Sequence, residues 1–120
     1  MSLGAYQKVQ QTTESPRDSE YRLFGKVTSA LIEAQGAERL DSKLIEALDW
    51  NRRMWSTLAG DCAIDGNGLP EQLRAQIISI SIWVSRYSSD IMKGAGETAD
   101  LIDINKTIME GLKPQSVRQP

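Results

Sequence analysis

Leu73, Ile77, Ile80, Val84, Tyr87 and Ile91 recur at steps of four, three, four, three and four. That seam constrains the fold more than any other feature of the chain. Apolar residues at such steps share one face of an α-helix, so the run predicts a long helix that must bury that face. Inside it, Ile78-Ser79-Ile80-Ser81-Ile82 alternates with period two and is rich in β-branched residues, the habit of a strand. The helix reading prevails for two reasons. The four-three spacing extends over about 19 residues and the alternation over about seven. No second strand candidate exists to pair with the first, and an unpaired strand leaves backbone polar groups unsatisfied. Isoleucine and serine are weak helix formers, so packing must hold this segment in shape. Pro70-Glu71-Gln72 opens it, and Gly94 and Gly96 end it.

The rest of the chain reads as further helices. Residues 2–13 carry Leu3, Tyr6 and Val9 at spacing three, a short helix. Ser15-Pro16-Arg17-Asp18 is a start signal: a capping hydroxyl, a proline suited to the first turn, and an acid three positions on. The stripe behind it runs through Leu23, Phe24, Val27, Ala30, Leu31 and Ala34, and Gly36 stops it. A third segment begins near Glu38 or Asp41 and runs to about Ala59, where Gly60-Asp61 ends it. Leu40, Leu44, Leu48, Trp55, Leu58 and Cys62 share its face, Trp50 and Met54 form the border, and Ala47 lies between. Asp65-Gly66-Asn67-Gly68 is a loop. Thr98 or Asp100 caps a last helix bearing Leu101, Ile104, Ile108 and Leu112, which Pro114 cannot continue. The expectation is an all-α, single-domain bundle of four to five helices over 1–112, with a disordered tail at 113–120.

Composition narrows the function. The 120 residues include no histidine, which removes the commonest general base and metal ligand. Cys62 is the only cysteine, so neither an internal disulfide nor a thiolate cluster can form. It reads as a small buried hydrophobe in a reducing compartment. No enzyme activity and no cofactor is expected. Residues 1–6 lack the apolar run of a secretory signal, and position 2 is serine, so myristoylation is not signalled. Every apolar stretch is shorter than the roughly 20 residues that span a bilayer. The expectation is a soluble, cytoplasmic protein. Net charge is −2, with 14 basic and 16 acidic residues spread along the chain. Without a basic stripe, direct nucleic-acid binding is not expected.

A few residues stand out as candidates for function. The pairs Glu46/Asp49 and Asp100/Asp103 could each share a helix face, but they read as solvated surface acids. Asn51 falls in an apolar seam, where a buried amide must find partners. Its first reading is a structural polar contact between helices, its second a binding role. Arg52 follows, with Trp55 one turn on and within reach for cation–π stacking. On the 73–91 helix, Ile78, Ile82 and Trp83 occupy faces that a simple amphipathic helix would leave polar. The more economical reading makes that helix central and covered all round; the other leaves a face open for a partner helix. Trp50, Met54, Ile78, Ile82 and Trp83 are the candidate partner-binding residues, because they exceed what one core seam needs.

Five blocks in order carry a resemblance to a known family. They are Ala5-Tyr6; Glu14-Ser15-Pro16-Arg17-Asp18-Ser19-Glu20; Ala47-Leu48-Asp49-Trp50-Asn51-Arg52-Arg53-Met54-Trp55; Asn67-Gly68-Leu69-Pro70-Glu71-Gln72-Leu73-Arg74; and Ile102 through Leu112. Together they resemble FlaF, the flagellar biosynthesis regulator of alphaproteobacteria, from Tyr6 to Leu112. Asp18 stands where glutamate is usual, and the loop around Asp61 to Gly68 varies freely. The resemblance implies a cytoplasmic protein required for flagellin production and filament assembly, with flagellin as a partner. It also implies action alongside a companion regulator, FlbT, which is the one linked to flagellin messenger RNA. It brings no catalytic or ligand residues. Monomer and homodimer are equally compatible with the sequence.

Overall fold

The computed structural model describes residues 16–39, 41–64, 66 and 68–112. The helix predicted over 2–13, the Ser15 cap, Leu40, the loop residues Asp65 and Asn67, and the 113–120 tail lie outside the described residues. Among those described there are four helices and no strand: α1 (Pro16–Glu33), α2 (Ser42–Cys62), α3 (Glu71–Met92) and α4 (Thr98–Leu112). The all-α bundle expected from periodicity is therefore the fold. The disputed stretch Ile78–Ile82 is helical throughout, inside α3.

α2 has α3 closely along one flank and α1 on another, and α1 also packs on α4. α3 and α4 meet only briefly, and α1 and α3 do not approach. α3 is thus a flanking helix and not the central one, which corrects the economical reading of its surplus apolar residues. Its buried positions are Ile77, Val84, Ser88 and Ile91. Leu73, Ile80 and Tyr87 of the predicted seam are half-buried at the margin. Ser88 takes a core position because its hydroxyl donates to the Val84 carbonyl at 2.7 Å, so no donor is stranded.

The core gathers around Trp55, which has no exposed surface. Phe24 of α1 meets it edge-on, with ring centroids 5.3 Å apart and planes at 85°, the arrangement the ring quadrupoles favour. Burying an aromatic of this size removes roughly 150–250 Å² from water, about 4–6 kcal/mol of transfer free energy before chain entropy is charged against it.

Local chemistry explains most helix ends. Asp41 caps α2, its carboxylate accepting the Lys43 N–H at 2.8 Å. Gly36 after α1 and Gly94 after α3 both adopt φ of 85°, the left-handed stop that glycine takes without a Cβ clash. One boundary departs from expectation: α2 runs through Gly60 and Asp61 to Cys62. Helical glycine costs about 1 kcal/mol, but Cys62, 1% exposed, packs into the core and holds the extra turn. Arg74 of α3 then donates to the Cys62 carbonyl at 3.3 Å, a cation at the negative end of the α2 dipole.

Candidate functional site

A trough of about 390 Å³ lies between α1 and α2. Phe24, Met54 and Leu58 form its floor and are buried, while Leu23 and Trp50, each 38% exposed, stand on its edges. The spacing explains the placement. Leu23 precedes the core residue Phe24 by one position and so turns 100° away from it; Trp50 stands in the same relation to the buried Asn51. Each is apolar and lies just off its helix's core stripe. The rim carries Glu20, Asp61 and Arg53, the last with its Nε 3.2 Å from Asp49 Oδ2.

The floor rests on a buried polar network. Trp55 Nε1 donates to Asn105 Oδ1 at 2.8 Å. Asn105 Nδ2 donates to Asn51 Oδ1 at 2.8 Å and to Thr28 Oγ1 at 3.2 Å. Asn51 and Asn105 are fully buried and Thr28 nearly so. An indole N–H can only donate, so it fixes which end of the Asn105 amide faces it, and Asn105 in turn fixes Asn51. Asn51 Nδ2 is left buried without a partner. These four side chains tie α1, α2 and α4 together, and a polar set of this kind fixes how helices register against one another. Asn105 and Thr28 were not foreseen. Both sit on their apolar stripes, Asn105 between Leu101 and Ile108 and Thr28 between Phe24 and Leu31. The stripe expected on the last helix runs through Ile104, which is only half-buried.

The predicted partner-binding residues divide between two surfaces. Trp50 and Met54 belong to the trough, Met54 as buried floor (5% exposed) rather than border. Ile78 packs half-buried against the core from α3. Ile82 (55% exposed) and Trp83 (39% exposed) lie open on α3, the helix that α1 does not reach. Trp83 stacks on Tyr87, centroids 4.7 Å apart. Tyr87 donates its hydroxyl to Asp100 and accepts the Glu97 N–H at 3.0 Å, pinning α3 to the start of α4. The Asp100 hydrogen bond pushes the phenol pKa above its ordinary value.

Arg52 points away from the trough. It is exposed, its Nη2 3.2 Å from Asp49 Oδ1, while Trp55 is buried against Phe24, so the predicted cation–π stack is replaced by an ion pair on the surface. The carboxylates marked in the sequence are accounted for in part by Asp49 with its two arginines and Asp100 with Tyr87. Among the described residues no three or more Cys, Asp or Glu side chains are grouped to hold a metal ion, and no helix is long and apolar enough to cross a membrane.

Fold and site together define a class: a small helical domain whose most distinctive surface is an apolar interhelical trough above a buried amide network. The chain belongs to the FlaF family, the model described as Flagellar protein FlaF matching residues 2–112. It is a flagellar protein by that membership. No curated protein and no solved structure matches the chain.

Proposed function

We propose that this protein is a cytoplasmic flagellin-binding factor that serves flagellin secretion and filament assembly, with no catalysis of its own. Flagellin's terminal segments are amphipathic helices that stay unpaired until polymerised, and exposed apolar stripes invite aggregation. A trough edged by Leu23 and Trp50 over a floor of Phe24, Met54 and Leu58 suits one such stripe, and this is the observation that supports the reading. The absence of histidine supports a role in binding over one in chemistry.

The test is titration of purified monomeric flagellin against wild type, Trp50→Glu and Ile82→Asp. A tryptophan covered by a docked helix is a frequent hot spot worth about 2 kcal/mol or more, so Trp50→Glu at the trough's edge should weaken binding roughly 30-fold. Ile82→Asp, on the other surface, should leave it unchanged. Absence of wild-type binding at micromolar concentrations refutes direct flagellin recognition.

The open apolar pair Ile82 and Trp83 favours a second reading. In it the α3 surface meets FlbT, and flagellin expression is controlled through that regulator without contact with flagellin. A two-way assay in which FlbT binds, flagellin does not, and Ile82→Asp abolishes FlbT binding supports it.

A further inference from the structure

The trough begins where the described part of α1 begins. Glu20 on its rim lies four residues after Pro16, about 6 Å along the helix. A segment joined to Pro16 is therefore tethered within reach of the trough's rim. That stretch, residues 1–15, lies outside the described residues, and it carries Leu3, Tyr6 and Val9 at spacing three. The family match starts at residue 2, so the stretch belongs to the same unit as the helices and is no unrelated extension.

Reach and charge both suit it to the trough. From Trp50 to Asp61 the α2 wall rises about 16 Å, and the chain from Val9 to Pro16 can extend up to ~23 Å. Lys8 is the stretch's single basic side chain, and the trough rim holds two carboxylates, Glu20 and Asp61, against one guanidinium, Arg53. The neighbouring concavity between α1 and α4 holds the reverse, Arg22 and Lys26 against Asp18. Leu23 and Trp50 remain more than a third exposed and are uncovered by any described helix.

We infer that residues 3–9 of this same chain dock in the α1–α2 trough and compete there with an incoming partner helix. The inference rests on the reading of the trough as the partner site. It makes the N-terminal stretch a built-in stopper that an amphipathic helix of higher affinity displaces. Self-occupancy between one half and nine-tenths would weaken apparent partner affinity about two- to ten-fold.

The experiment uses the full chain carrying Ser2→Cys with a nitroxide attached at position 2; Cys62 is buried and escapes the label. Paramagnetic broadening is read at the Trp50 and Trp83 indole N–H resonances without any partner. Docking predicts strong broadening of Trp50 and little of Trp83, reversed by adding Tyr6→Asp while helical circular dichroism stays unchanged. No broadening of Trp50, or equal broadening of Trp50 and Trp83, overturns the inference. A second arm compares flagellin affinity of wild type and Tyr6→Asp. Tighter binding by two- to ten-fold in the variant is expected; equal measurable binding counts against the stopper. If neither protein binds flagellin, the partner reading fails while the broadening result still judges the docking.

Discussion

Asn105→Leu should be among the most damaging substitutions in the protein, and Asn51→Leu, its hydrogen-bonded neighbour, nearly harmless. Leucine copies the branched shape of asparagine, so both variants probe the polar network with little change in volume. Removing the Asn105 amide strands the Trp55 N–H, takes away the Nδ2 donor to Asn51 Oδ1, and leaves Thr28 Oγ1 without its amide contact. A buried donor or acceptor left unpaired costs about 1–3 kcal/mol, so the loss should total roughly 3–5 kcal/mol. That is a large part of the 5–15 kcal/mol typical of a domain. Removing the Asn51 amide breaks one bond and strands one hydrogen of Asn105, but it also deletes an Nδ2 that has no partner. The two effects offset, leaving about −1 to +1 kcal/mol. Urea unfolding followed by tryptophan fluorescence measures both variants. A gap of at least ~2 kcal/mol, with Asn105→Leu the worse, is expected. Equal losses, or a larger loss for Asn51→Leu, would refute the claim that Trp55 sets the direction of the chain of amides.

Three further predictions follow from single sites. Burial raises the Cys62 thiol pKa, with Glu20 adding to the effect, so the thiolate is scarce. Iodoacetamide should label the native protein slowly at pH 8 and rapidly once unfolded; fast native labelling would place Cys62 outside the core. Tyr87 has a folded pKa above its ordinary 10.0 because it donates to Asp100. The stability from that bond is fully present below pH 10 and is lost as pH rises through the folded value. Absorbance titration of Asp100→Asn should return this phenol toward 10, and an unmoved titration would deny the bond. Gly94→Ala forces a Cβ onto φ of 85°, which costs about 1–2 kcal/mol and should lower Tm by at least ~4 °C.

The helices could be read from the sequence where one signal dominated. The four-three seam outweighs the period-two run at Ile78–Ile82 because a helix satisfies its backbone hydrogen bonds alone and a strand needs a partner. The end of α2 was misplaced because Gly60 is a local signal, whereas Cys62 is retained by contacts distant in sequence. Met54 was assigned to a border yet lies in the floor, since α1 crosses α2 near enough to cover it, and a single stripe carries no information about where a neighbour crosses. Asn51 was conspicuous as one amide among leucines. Its partners were not, because which polar residue faces it depends on how α4 docks, 54 positions further along the chain. Trp50 and Ile82 looked alike as surplus apolar residues and proved to belong to different surfaces, a distinction that only packing makes.

The central claim is that flagellin docks in the α1–α2 trough, and hydrogen exchange of the whole protein with and without monomeric flagellin tests it most directly. Protection on binding should concentrate on residues 20–24 and 50–61, the two walls of the trough, with 78–90 of α3 unchanged. Protection confined to α3, or none at saturating flagellin, would contradict it.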